Sequence, residues 1–178
     1  FDQFTCRIQA PGFSPERFAA AWNRAIARHS ALRSAFFWDG PPEPLQAVLP
    51  SAAIPVEVQD WRSRPAPEQA RLFLHLQDLD RERPFDLARP PLMRLALCRT
   101  DEACWTMLWS NHHLILDGWS LPLLLEEVCR HYENLGAGLR VEAAPGPAYR
   151  DFIAWLGRQD REAALAFWKE ELAGFESP

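Results

Sequence analysis

The chain has 178 residues, a formal charge of −5 and 48% hydrophobic side chains, eight of them tryptophan, which suits one core-forming domain or a large lobe of something bigger and excludes a disordered segment. Its eighteen arginines and single lysine form no run that could track a phosphate backbone, which sets nucleic acid aside. The longest apolar runs are short and interrupted and no charged-then-apolar leader opens the chain, so neither a membrane span nor a secretory signal is read and the cytoplasm is the expected location.

In chain order, FDQFTCRIQA alternates Phe4, Cys6 and Ile8 with Thr5, Arg7 and Gln9, a strand with no polar run-up, as in a piece excised from a longer chain. Pro11 and Gly12 make a turn. Ser14 is placed to cap a helix with Pro15 at its first position and Phe18, Trp22, Ile26 and His29 on one face. SAFFWDG and PLQAVLP read as two strands around an Asp39-Gly40-Pro41-Pro42 turn, and residues 54 to 58 as a further extended piece. A loop around Pro65 to Pro67 leads to a helix over 68 to 82, with Leu72, Leu76 and Leu79 as its apolar face and Pro84 beyond its end. Two strands, 92 to 99 and 104 to 111, are joined by a polar turn; large side chains on both faces of the second predict a central position. Ser120 is expected to cap the next helix, whose stripe of Leu121, Leu124, Leu125, Val128, Tyr132 and Leu135 ends at Gly136. A short helix and a longer one, with Leu165, Trp168 and Leu172 at helical spacing, complete a mixed α/β chain with a central sheet flanked by helices and no internal repeat. Cys6, Cys98, Cys104 and Cys129 form no C-x-x-C pair and read as small apolar fillers, not as a zinc site or a disulfide framework.

The polar cluster HHLILDGWS, residues 112 to 120, sits between the central strand and this capped helix. If the strand continues through it, His112 and His113 leave on opposite faces, one toward the core and the other toward a cleft. Side chains so placed do not readily chelate one metal, so no metal is expected. A strand-end turn accounts for Asp117, Gly118 and Trp119 through capping, backbone freedom and packing. It does not account for two consecutive histidines at the end of an apolar strand, where an unpartnered ring is costly to bury. By residue chemistry alone, catalysis and a satisfied structural cluster both remain open.

HHLILDGWS resembles the HHxxxDG motif of condensation domains of nonribosomal peptide synthetases. RHSALRSAF (Arg28 to Phe36) is similar to that family's RHxxLRTxF segment, FDLARPPLMR to its FDLxxGPLxR segment and YRDFIAW (Tyr149 to Trp155) to its YxDYAxW segment, in family order across essentially the whole chain. The family's opening helix, with its S-x-A-Q-x-R-L-W pattern, and its second lobe are absent. The resemblance therefore implies that residues 1 to 178 are the N-terminal lobe of a chloramphenicol-acetyltransferase-like fold. His112 stands where heterocyclisation domains carry aspartate, and Trp119-Ser120-Leu121-Pro122 differs from the V-S-W-R of epimerisation domains, so amide-forming members are the nearer match.

The resemblance implies that an upstream carrier protein presents an acyl or peptidyl thioester and a downstream one an aminoacyl amine, each on a phosphopantetheine arm entering a tunnel between the lobes. It makes His113 the catalytic residue, which holds the attacking amine in line or takes its proton once attack has begun. A ground-state α-ammonium, with a pKa of ~7.7–8.0, is a poor donor to an ordinary imidazole of ~6.5. His112 would support the strand, and Asp117 would be a structural carboxylate paired with an arginine, for which Arg33 is the candidate within the chain. Gly118 would let backbone approach the arm, and Trp119 and Ser120 would line the tunnel and fix the loop; Ser120 is not read as a nucleophile. His29 is expected to be a packed histidine, and His75 and His131 ordinary surface or helix residues. No cofactor is expected on the lobe itself. Its expected partners are the missing C-terminal lobe, the two carrier proteins and an adenylation domain. The lobe alone is expected to be inactive, and a noncatalytic module that binds carrier or partner proteins is the alternative.

Overall fold

A computed structural model describes residues 1–40, 42–139, 146 and 148–176. The chain divides into two units, Phe1–Gly146 and Pro147–Pro178.

The first unit opens with β1 (Asp2–Gln9), whose alternating pattern survives as half-buried Phe4, Cys6 and Ile8. After a turn at Gly12, with φ of 71°, Ser14 caps α1 (Pro15–Arg28) by accepting from the Arg17 backbone N–H at 3.1 Å. A 3₁₀ turn (Ser30–Arg33) leads into a separate two-stranded ladder, β2 (Ser34–Phe37) against β3 (Leu45–Val48). Gly40 takes a φ of 107° in their connection, while Pro41 of the expected turn lies outside the described residues. Then come β4 (Val56–Asp60), α2 (Ala66–Arg81), β5 (Met93–Asp101), β6 (Cys104–Asn111) and α3 (Ser120–Gly136).

The main sheet runs β1-β6-β5-β4, antiparallel except for the parallel β4–β5 pair. Strand β6 is interior, as its two-sided burial requires: Trp105, Met107 and Trp109 face one side while Leu108 and Ser110 face the other. On the first side they join Leu95 and Leu97 of β5, Phe18, Trp22 and Ile26 of α1, and Leu124 and Val128 of α3 in the core; the Trp22 and Trp109 rings lie 4.8 Å apart. The Tyr132 hydroxyl of α3 accepts from the Ser14 N–H at 2.9 Å and fastens the two helices at the β1–α1 turn.

On the other side α2 is held by polar contacts. Asp80 accepts from Arg94, from the Ser110 hydroxyl and, at 2.8 Å, from the Gln3 amide. Arg94 is buried on β5 and needs a carboxylate, so α2 turns Asp80 inward. This corrects the expected apolar face: Leu72 and Leu76 are half-buried, but Leu79 is 51% exposed.

The second unit holds α4 (Tyr149–Leu156) and α5 (Arg161–Glu171), the latter capped by Asp160, which accepts from the Ala163 N–H at 2.9 Å. Neither helix buries a side chain, and Leu165, Trp168 and Leu172 are exposed.

Candidate active site

The ladder extends one bond past β6: the His112 N–H donates to the Leu92 carbonyl at 2.9 Å, and a turn then closes from the Ile115 N–H to the His112 carbonyl at 3.1 Å. The two histidines therefore part company. The His112 ring is half-buried with its edge to Phe85, the centroids 6.3 Å apart, and its Nδ1 accepts from the Leu114 N–H at 3.2 Å. Burial pushes its pKa down, which favours the neutral ring. His113 is 58% exposed, and its Nε2 lies 2.7 Å from Oδ2 of Asp2, itself 51% exposed.

Asp117 is exposed and caps α3. Its Oδ1 accepts from the Ser120 hydroxyl at 2.6 Å and from the Ser120 N–H at 2.8 Å. The hydroxyl bond first, and the backbone bond with it, hold the carboxyl below the usual range. This corrects two expectations. Ser120 is the residue being capped, because Asp117 at the turn reaches the free N–H first. Arg33 is not the partner of Asp117: its guanidinium donates to the Ile26 carbonyl at 3.1 Å and to the Leu49 carbonyl, tying the 3₁₀ turn to α1 and to the residue after β3.

Gly118 has no need of the left-handed region, and a Cβ built there would meet nothing within 4 Å. The loop is open above it. Trp119 beside it is 86% exposed, and Ser120 is half-buried. A cavity of about 440 Å³ lies on the α2 side of the sheet, lined by Leu76, Asp80, Arg94 and Leu108 among others; His113 is not part of its lining.

Sequence reasoning missed a second polar cluster. Glu127 on α3 is buried, and its carboxylate lies 2.9 Å from Arg28, 2.9 Å from His29 Nε2 and 3.3 Å from His131 Nε2. His131 is thus a buried partner, not a surface residue, and His29 is half-buried in the same group. The signal was available: 124, 127, 128 and 131 share the spacing of a core-facing stripe, so a glutamate and a histidine there had to find partners. Cys129, by contrast, is exposed rather than a filler. Among the described residues, no group of three or more His, Cys, Asp or Glu side chains is placed to hold a metal, and no helix is long and apolar enough to cross a membrane.

Several known proteins are similar to this chain in sequence or in fold. A linear gramicidin synthase of Brevibacillus parabrevis is 39% identical over 158 residues, covering 89% of this chain but 3% of its own length. Chondramide synthase cmdD of Chondromyces crocatus is 38% identical, with coverage of 99% and 4%. This chain thus spans a small fraction of the curated relatives it matches. Among solved structures, SgcC5 from Streptomyces globisporus superposes with a TM-score of 0.76 at 23% identity, over 97% of this chain and 40% of that one. The starter condensation domain of rhizomide synthetase RzmA gives 0.77 at 23% identity, over 99% and 44%. These two share the chloramphenicol-acetyltransferase-like arrangement of a mixed sheet flanked by helices. The sequence profile of the Condensation domain matches residues 3–178, nearly the whole length, and the chain belongs to that family.

Proposed function

We propose that this chain is the histidine-bearing lobe of an amide-forming condensation domain in a nonribosomal peptide synthetase. The observation that carries the reading is His113, exposed just past the end of the central strand, while His112 is engaged with its own loop. The donor is an acyl or peptidyl thioester and the acceptor an aminoacyl amine, each held on the phosphopantetheine arm of a carrier protein. The amine nitrogen attacks the thioester carbonyl, a carbon–nitrogen bond forms, and the carbon–sulfur bond breaks as the thiolate leaves.

In this reading His113 holds the amine in line and receives its proton as attack makes the nitrogen acidic; the proton then passes to the departing sulfur. Asp117 keeps the loop in register with α3, and Trp119 with Ser120 borders the path of the arm. The solved relatives, of which this chain covers 40–44%, support a second lobe as the partner that completes the tunnel. The carriers and an adenylation domain are the further partners, and the cytoplasm, where carrier thiols stay reduced, is the place of action.

The test is dipeptide formation from two loaded carriers by the polypeptide that contains this lobe. His113→Ala should lower turnover by about 10²–10⁴-fold, the range of a lost proton-transfer group. Unchanged turnover, with carrier binding retained, would replace this reading with that of a noncatalytic carrier-binding module. The 178 residues alone should turn over little, and robust condensation by them would show that one lobe suffices.

A further inference from the structure

We propose that the turn carrying His113 is a latch that acid releases: the neutral His112 ring holds it closed, and a second proton on that ring opens it. The latch lies in the turn itself, whatever reaction His113 serves. Three hydrogen bonds converge on His112. Its N–H donates to the Leu92 carbonyl at 2.9 Å and ties the start of the turn to the residue before β5. Its carbonyl accepts from the Ile115 N–H at 3.1 Å, and Ile115 is anchored in the core. Its Nδ1 accepts from the Leu114 N–H at 3.2 Å. His113 stands between these bonds with its side chain 58% exposed, so the backbone of the turn, more than packing, sets where that ring points.

The third bond depends on protonation. A backbone N–H can only donate, so Nδ1 of His112 has to be the bare nitrogen and the neutral ring carries its proton on Nε2. A second proton would go on Nδ1 and set two hydrogens against each other, which the turn relieves by parting. The surroundings favour the neutral ring. Burial holds its pKa below the ordinary 6.5. The ionisable groups near it offer an imidazolium little help: His113 and, in the 178-residue chain, the Phe1 α-amino group are its closest such neighbours. Arg94 stacks 4.2 Å from the centroid of Phe85, the ring that meets His112, and is bound to Asp80. Asp2 lies beside His113, and Asp86 lies 3.2 Å from Arg89. Among the described residues no carboxylate pairs with His112. The ring is therefore neutral and the turn closed near pH 7; as pH falls below about 6.5 and through the ring's own lower pKa, the bond to Leu114 is lost.

Magnetic resonance of the ¹⁵N-labelled 178-residue chain tests this directly. Near neutral pH the His112 ring should show the Nε2–H tautomer, and a scalar coupling should pass from the Leu114 nitrogen to His112 Nδ1 through the shared hydrogen. As the ring takes up its second proton, that coupling should vanish. The protection of the Leu114 amide against exchange, relative to an unstructured peptide, should fall by about 2–10-fold, the effect of one lost hydrogen bond. His112→Asn is the control, because an Asn side-chain oxygen can accept from the N–H two residues on and does not titrate. It should keep Leu114 protected through the same acid range. An Nδ1–H tautomer in the neutral ring, an absent coupling, or protection at Leu114 that ignores the titration of His112 overturns the latch. Equal acid loosening in His112→Asn assigns the release to another group and overturns it as well. The parent spectra decide alone if His112→Asn does not fold. None of these readouts depends on condensation, so His113→Ala judges the catalytic reading separately.

Discussion

Glu127 faces opposing forces. Burial raises the pKa of its carboxyl, but hydrogen bonds from His29 and Arg28, with the charges of both, outweigh it and hold the group below its ordinary value of 4.5. A carboxylate depressed in the folded state adds stability that is fully present above the unfolded pKa and is lost as pH falls through the folded one. Melting temperature should therefore decline as pH drops below about 4.5. Glu127→Gln should flatten part of that decline and cost about 1–3 kcal/mol near neutral pH, the range for stranding buried partners. Part of the slope should persist, because Asp80 is depressed in the same direction: burial raises it, and hydrogen bonds from Arg94, Ser110 and Gln3 overcome burial. A variant with the parent's full acid sensitivity would show that Glu127 does not carry this dependence.

At the level of elements, one side chain ties the end of the β6–α3 loop to the first turn of the helix. Asp117 binds both the N–H and the hydroxyl of Ser120, so Asp117→Ala should loosen the first turn of α3 while the Val128 region keeps its protection. Amide hydrogen exchange checks this: faster exchange confined to residues near 120 is expected, and uniform exchange along α3 would contradict it. The pattern of elements was legible because each announces itself locally. Alternation marks β1, two-sided apolar content marks β6, and Ser14-Pro15 marks the start of α1. What stayed hidden were choices made by distant partners. Nothing near Leu79 says that buried Arg94 will turn Asp80 inward in its place, and nothing near Arg33 says that two backbone carbonyls will occupy its guanidinium. The candidate site divides the same way: His113 stands out by its neighbours in sequence, whereas Asp2, 111 positions earlier, is joined to it only by the pairing of β1 with β6.

For the whole molecule, large apolar side chains are left uncovered at the start of α3. Trp119 at 86% exposure and Leu123 at 68% are one helical turn apart, so they lie on one face at the start of α3. Exposed large apolar side chains that adjoin one another mark a surface that associates. The 178-residue chain should self-associate as its concentration rises, and Trp119→Ser with Leu123→Ser should reduce this in light scattering. A parent that stays monomeric throughout would show that this face is indifferent to its neighbours.

The ladder between β1 and β6 carries a further consequence. Sliding one strand past the other by a single residue would turn Phe4, Cys6 and Ile8 out into water and, in the same stroke, take the Asp2 carboxylate away from the imidazole. Packing thus fixes what stands beside position 113: a misaligned strand loses its hold on the core before it can offer a different neighbour.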